Sequence, residues 1–329
     1  MNCPNCGESI EQGANFCEGC GSNLKPQESA GKAVDAKIEC PQCHAGPACI
    51  DQAGFCTSCG TRRRADPRDH FQVVVSSKVA GVCDIGMKYK ENQDYMALGT
   101  AGGALVLVVC DGVSTSQTPM PGSKAAAETG RDLILADVKT GVGDPDETLK
   151  RAIVGAQEAI CKVPFKPVVN EDDLPPAQAT FVGALVQGKR TTVGWVGDSR
   201  AYWVTRKTAR QITVDDSWLN WAVTEGGMTR EQAEKDKRAH AILESLGAAN
   251  DGTNPGVQPD VRTLNMSEPG IVLLVSDGFW NYVKNEEHLV RLINELPADA
   301  DALTLANHLV NFARQAGGHD NITVVVAIF

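Results

Sequence analysis

The sequence has no long hydrophobic run. The longest, residues 104–110, falls far short of the roughly 20 residues a bilayer requires, so no membrane-spanning helix is expected. It also has no excess of positive charge. There are 31 Lys+Arg against 41 Asp+Glu, a net charge of -10, which argues against a global grip on nucleic acid or anionic lipid. The start of the chain shows neither a basic stretch nor the apolar core of a secretory signal. The expected setting is therefore the cytoplasm, where cysteines more often hold metal or stay as buried thiols than form disulfides. Apolar residues at 42% and charged residues at 22% are ordinary for a folded chain, and 329 residues suggest two or three units.

Cysteine is abundant but uneven. Nine of the 12 cysteines lie before residue 60. Cys3, Cys6, Cys17 and Cys20 form one set of two C-x-x-C pairs, and Cys40, Cys43, Cys56 and Cys59 form a second. Each two-residue gap lets one tight turn offer two thiolates, and two such turns complete a tetrahedral four-thiolate zinc site. Gly7, Gly21 and Gly60 follow the second cysteine of a pair, where φ > 0 turns an amide towards sulfur. His44 or Cys49 could replace one ligand of the second set. Redox pairs are the alternative, but no βαβ pattern surrounds them. Segments this short bury little core. Structural zinc, worth about 10–16 kcal/mol in zinc-finger peptides, would supply the folding energy. Both modules resemble small zinc ribbons, with every ligand used and none left for catalysis.

The expected organisation is a zinc ribbon at 1–24, a polar linker at 25–37, a second ribbon at 38–60, a linker at 61–70 with a basic cluster at Arg62, Arg63 and Arg64, and one large domain at 71–329. In that domain, runs rich in β-branched residues predict strands at 71–76, 95–98, 104–110, 180–186, 191–196, 201–205, 271–276 and 322–329. Helical spacing predicts helices at 123–139, 146–161, 217–225, 229–237, 286–295 and 302–315. Many strands follow one another without a helix between them, which argues for antiparallel sheets with helices outside.

Two buried-type strands end in Asp-Gly, at Asp111-Gly112 and Asp277-Gly278. Asp320 precedes a third such strand, and Asp198 lies between two more. Singly, an Asp-Gly is a turn signal. As a set, carboxylates at strand ends can converge on one sheet edge, where they repel unless they bind cations. Hard oxygen ligands with room for water suit Mg2+ or Mn2+. The glycines would permit a sharp turn and a close carbonyl.

The order of motifs resembles the metal-dependent protein phosphatase (PPM, protein phosphatase 2C-like) family in its bacterial form. The carrying residues are Gly86, then Asn92, Gln93 and Asp94, then Asp111 and Gly112, Ala179 and Thr180, Gly197 to Tyr202, Ser276 to Gly278, and Asp320 to Thr323. The resemblance implies an α+β fold, a four-layer αββα sandwich of two antiparallel sheets flanked by helices. It also implies hydrolysis of phosphoserine and phosphothreonine, set by a kinase on a phosphoprotein, at a binuclear Mn2+ or Mg2+ centre. Carried over, Asp111 would bridge two metals and the Gly112 carbonyl would bind one. Asp277 and Asp320 would hold the other, Asp94 would orient water, and Asp198 with Asp277 would form a third metal site. Asp94, Asp111, Asp277 and Asp320 are thus the expected catalytic residues.

Three positions depart from the family pattern. Tyr89 stands where a phosphate-binding Arg is frequent, no His follows Gly112, and Asp216 replaces a His in the segment 214–247. Tyr cannot form a cationic fork. Tyr89 and Asp216 support the alternative of a pseudophosphatase that binds phosphoproteins or a regulator without turnover. A nucleic-acid module is disfavoured, since residues 1–72 carry seven Lys+Arg against nine Asp+Glu. The ribbons are expected to recruit a protein partner. Other residues receive plainer readings. Cys83, Cys110 and Cys161 are read as buried hydrophobes, Arg200 as the structural partner of a carboxylate, His319 as a loop residue, and Trp195, Trp203, Trp218, Trp221 and Trp280 as packing.

Overall fold

A computed structural model describes residues 67–141 and 143–329, together with residues 45, 46, 49 and 56–58. The chain divides into two units, residues 1–64 and 65–329. In the first, the Thr57 amide donates to the Cys49 carbonyl at 2.7 Å, and Cys56 is 1% exposed. The remaining zinc-ligand candidates, Cys3, Cys6, Cys17, Cys20, Cys40, Cys43 and Cys59, lie outside the described residues, as do His44 and the cluster Arg62 to Arg64.

The second unit opens with four strands, β1 (His70–Ser76), β2 (Val79–Asp84), β3 (Tyr95–Ala101) and β4 (Ala104–Cys110). Helices α1 (Pro119–Thr140) and α2 (Pro145–Ile160) follow. Next come β5 (Gln178–Ala179), β6 (Phe181–Gln187), β7 (Arg190–Val196), β8 (Arg200–Val204) and β9 (Ala209–Gln211). The short helices α3 (Trp218–Thr224) and α4 (Arg230–Glu234) precede β10 (Leu246–Gly247), β11 (Asp260–Asn265) and β12 (Ile271–Val275). The chain closes with α5 (Asp277–Trp280), α6 (Glu286–Asn294), α7 (Ala302–Gln315) and β13 (Ile322–Ile328).

Two antiparallel sheets carry the fold, in the orders β1-β2-β13-β12-β8-β9 and β11-β7-β6-β4-β3. Their central strands are buried on both faces, so they read as continuous apolar runs although they are antiparallel. The period of two sorts each run between two cores. Val82, Leu273, Val275, Val324 and Val326 face α6 and α7, whereas Cys83, Val272, Leu274, Val325 and Ala327 face the other sheet. Val106, Val108 and Cys110 of β4 face α1 and α2, and Leu107 and Val109 face inward between the sheets. Three stacked cores make four layers, helices outside and sheets inside, as expected.

Helix starts follow local chemistry. Asp301 caps α7 by accepting from the Thr304 amide at 2.7 Å, and Thr229 with Gln232 forms a capping box on α4. Several elements escaped the pattern reading. β2 is a central strand, but Gly81 interrupts its run, where a Cβ would meet the Met96 sulfur at 2.5 Å. β11 is polar (DVRTLN) and lies at a sheet edge. Asp277-Gly278 opens the short helix α5 rather than a plain turn. Among the described residues, no helix is long and apolar enough to cross a membrane.

Candidate active site

Strand ends from both sheets meet at one edge. β4 delivers Asp111 and Gly112 at its end, and Asp94 immediately precedes β3, its antiparallel neighbour. From the other sheet, β12 leads into Asp277 and β13 begins just after Asp320. The turn between β7 and β8 adds Asp198.

Backbone contacts hold these segments close. The Asp111 amide donates to Thr180 Oγ1 at 3.0 Å, and the Asp111 carbonyl accepts from the Thr180 amide at 2.8 Å. The Gly112 amide donates to the Gln93 carbonyl at 3.2 Å. A Cβ on Gly112 would sit 2.7 Å from the carbonyl oxygens of Gln93 and Pro119, and one on Gly278 would sit 1.9 Å from the Asn321 carbonyl oxygen. Neither glycine has a positive φ. The sharp-turn role expected for them is corrected to one of space, since only a residue without a side chain lets these backbones touch. Gly86 combines both demands, with φ +73° and only 2.0 Å between a Cβ there and the Asp320 carbonyl.

The carboxylates perturb one another. Asp94 is fully buried; its Oδ2 accepts from Ser276 Oγ and Thr323 Oγ1, each at 2.7 Å. Burial pushes Asp94 up to about 6 against those two bonds, and Asp320 adds to the rise. Burial and then Asp94 push Asp277 up to about 6, and burial and then Asp277 do the same to Asp320. Asp111 stands well above the carboxylate range through burial and the charges of Asp94, Asp277, Asp320 and Asp198. Burial, Asp277 and Asp215 raise Asp198 to about 8. The Asp111 side chain in turn acts on both Asp94 and Asp277, opposing their rise. One oxygen each of Asp94, Asp198 and Asp277 is buried without a hydrogen-bond partner. Among the described residues no group of three or more His, Cys, Asp or Glu side chains is arranged so that it could hold a metal ion by itself. The contacts are pairwise, and pairs of carboxylates completed by carbonyl and water are how Mg2+-type ions are commonly held.

A cleft of about 300 Å3 opens beside Asp198 and Asp277, walled by Arg200, Trp280, Lys284 and, from α4, Arg230. Arg200 grips Asp215 with Nε at 3.0 Å and Nη2 at 2.6 Å, the structural pairing expected of it. Trp280 is half-buried and packs against the core beneath α6 and α7, as expected, and its indole N–H also donates to the Asp198 carbonyl at 2.9 Å. Trp195 and Trp218 are buried, but Trp221 is 45% exposed and does not pack as expected.

Residues 88–313 match the family described as Protein phosphatase 2C, and residues 3–60 match the one described as Double zinc ribbon. The chain belongs to the protein phosphatase 2C family. The serine/threonine protein phosphatase PstP of Mycobacterium tuberculosis is 29% identical over 262 residues, which is 78% of this chain and 46% of that protein. The chain thus spans about half the length of this curated relative. Protein phosphatase PhpP of Streptococcus pneumoniae is 26% identical over 251 residues, 76% of this chain and 96% of PhpP. The solved catalytic domain of PstP in complex with two manganese ions superposes with a TM-score of 0.55 at 27% identity, covering 76% of this chain and 96% of that one.

In this protein phosphatase 2C chain, the departing residues also lie around the carboxylates. Ser114 Oγ lies 3.3 Å from the Tyr89 hydroxyl and donates to Gln93 Oε1 at 2.7 Å. The Ser114 contact lowers the Tyr89 pKa, but burial and the charges of Asp320, Asp277 and Asp111 outweigh it and raise the hydroxyl. Asp216 accepts from the Gly197 amide at 2.8 Å, next to Asp198, and burial raises it to about 6. His319 is an exposed loop residue held by the Tyr282 hydroxyl.

Pattern reading missed the supports. Asn321 Oδ1 accepts from the Gln93 amide at 2.7 Å, and Asn321 Nδ2 donates to the carbonyls of Ile85 and Glu91. Arg68, in the stretch read as linker, donates from Nη2 to the Asp94 carbonyl at 2.9 Å and from Nη1 to Met120 at 3.1 Å. That end of the segment is built into the domain, and β1 starts at His70. Asn321 and Thr323 stood in a quoted motif; nothing in the sequence singled out Arg68.

Proposed function

We propose that this chain is a Mn2+- or Mg2+-dependent serine/threonine protein phosphatase acting on phosphoproteins made by a serine/threonine kinase. The observation that carries the proposal is the meeting of Asp94, Asp111, Asp277 and Asp320 at one edge, with buried oxygens left without hydrogen-bond partners. Such oxygens are costly unless a cation completes them. The donor set, carboxylates with a crowded carbonyl, is of the hard type that Mn2+ and Mg2+ prefer. Relatives named as phosphatases, one of them solved with two manganese ions, support the same reading.

On this reading Asp111 would bridge two ions, with the Gly112 carbonyl on one and Asp277 and Asp320 on the other. Asp198 with Asp277 would offer a third position. When bound, a divalent pair lowers the pKa of a shared water and withdraws charge from the phosphoryl oxygens. The chain's own part is to hold and orient. Asp94, pinned on one oxygen, keeps the other buried and without a hydrogen-bond partner, and on this reading it can orient the attacking water and take its proton. No protein nucleophile is needed. Cys83 and Cys110 are fully buried, and burial holds both thiols protonated; Cys161 is only half-buried, short of the full burial expected.

The N-terminal segment would hold two structural Zn2+ on Cys3, Cys6, Cys17 and Cys20 and on Cys40, Cys43, Cys56 and Cys59, a reading supported by the match to Double zinc ribbon. It would recruit a protein partner, with no nucleic acid and no membrane involved. Free thiols in C-x-x-C pairs suit the cytoplasm. Nothing in the site favours the pseudophosphatase alternative, because Tyr89 and Asp216 leave the carboxylate set whole. The deciding experiment is hydrolysis of p-nitrophenyl phosphate and a phosphothreonine peptide with and without Mn2+, on wild type beside Asp111→Asn. A metal-loaded wild type that cleaves neither substrate overturns the proposal.

A further inference from the structure

We propose that Ser276 and Thr323 are positioning residues, a hydroxyl clamp that fixes the Asp94 carboxylate in the one orientation hydrolysis uses. Asp94 directly precedes β3 of the five-stranded sheet, whereas Ser276 directly follows β12 and Thr323 lies in β13 of the six-stranded sheet. The clamp therefore crosses the seam between the sheets, and all three residues are buried.

Hydrogen bookkeeping orients each group. Ser276 Oγ accepts from the Thr323 amide at 2.9 Å, which leaves its one proton for Asp94 Oδ2 at 2.7 Å. Thr323 Oγ1 lies 2.7 Å from the same oxygen and 3.1 Å from Cys83 Sγ. It too has a single proton, and the charged, nearer acceptor takes it. The Cys83 thiol, kept protonated by burial, can then donate to Thr323 Oγ1. Asn92 and Arg68 hold the Asp94 backbone, with the Asp94 amide donating to Asn92 Oδ1 at 3.2 Å and the carbonyl accepting from Arg68. Both side-chain donors thus serve one oxygen. Oδ1 remains buried, without a hydrogen-bond partner. Two donors on one oxygen resist the rotation that would exchange Oδ1 and Oδ2.

The spacing carries a further consequence. Ser276 directly precedes Asp277 and Thr323 follows Asp320 by three residues. The same two segments that bring carboxylates from one sheet also pin the carboxylate brought by the other. The clamp thereby ties the geometry of the site to the packing of the two sheets.

The inference rests on the role proposed for Asp94, so the test includes Asp94→Asn. Full-length protein is assayed at saturating Mn2+ with p-nitrophenyl phosphate and a phosphothreonine peptide. Thr323→Val and Ser276→Ala should each lower kcat about 10–100-fold, with KM within about threefold. Thr323→Ser, which keeps the hydroxyl, should recover kcat to within about threefold of wild type. The double variant should lose less than the product of the single losses, because both hydroxyls serve one oxygen. If Thr323→Val does not fold, Ser276→Ala and Thr323→Ser make the same comparison. An inactive Asp94→Asn beside clamp variants with wild-type kcat overturns the clamp alone. A Thr323→Ser as slow as Thr323→Val assigns the effect to packing and also overturns it. An Asp94→Asn with full activity overturns the clamp and the role of Asp94 together.

Discussion

Arg200 lies over Trp280, its guanidinium carbon 3.5 Å from the centre of the indole ring, while the same guanidinium forks onto Asp215. Trp280 in turn holds the carbonyl of Asp198. Arg200, Asp215 and Trp280 thus brace one wall of the cleft beside Asp198. Lysine at 200 would keep the charge but lose the planar fork and most of the stacking. Arg200→Lys should cost about 1–3 kcal/mol in urea unfolding, below the roughly 3–5 kcal/mol for breaking a fully buried pair because both side chains keep some exposure and the charge is retained. A stability change near zero would count against the brace.

Asp111→Asn and Asp277→Asn should each reduce turnover by about 1000-fold or more, the worth of several kcal/mol of lost charge stabilisation. Without metal, the same substitutions should raise the melting temperature at pH 8, because each removes one charge from a set that repels itself. Far-UV circular dichroism should be unchanged. Turnover and thermal scans on the same preparations check both halves.

The pH dependence of the metal-free protein follows from the raised carboxylates. Asp94, Asp277 and Asp320 sit at about 6 and Asp198 at about 8 in the folded chain, against an ordinary 3.8. A folded-state pKa above the unfolded one gives stability that is complete below about pH 4 and is lost as pH rises through 6 towards 8. Metal-free melting temperature should therefore carry a falling contribution across that window. Mn2+, which takes the place of the protons, should raise it more at pH 8 than at pH 5.5. Equal shifts at the two pH values, in differential scanning calorimetry, would contradict the cluster.

Gly278→Ala should destabilise the domain by about 1–3 kcal/mol or more, since a methyl there meets a backbone carbonyl 1.9 Å away that has no rotamer to change. Activity should fall with it, because α5 and the Asp320-Asn321 segment are pushed apart at the site. Chemical denaturation and kcat read the two effects.

Purified full-length protein should hold about two zinc ions per chain by elemental analysis, retained after dialysis that strips Mn2+. Removing residues 1–60 should change kcat less than it changes capture of a protein partner. Absence of zinc would overturn the ribbon assignment.

Much of this was legible in the sequence. The run 104–110 became β4 and the period at 302–315 became α7, residue for residue, because strong patterns bury one way only. β2 was not legible, since Gly81 breaks its pattern for the sake of a neighbour, Met96, that is remote in the chain. β11 was not legible because an edge strand can be polar. The acidic residues announced themselves by standing at strand ends. Their supports did not, because Arg68, Ser276 and Thr323 are ordinary residues until a fold brings Asp94 to them.

By itself, the sequence settled that β4, β12 and β13 are buried on both faces, the order of the Asp-bearing motifs and the paired cysteine spacings, since each is a local matter of period or gap. Only the tertiary structure decided that Gly112 and Gly278 are needed for space, that Trp280 serves the site, and that one oxygen of Asp94 is taken while the other is left. Those contacts join segments up to 229 residues apart, and their energies depend on distance in space, which no local pattern encodes.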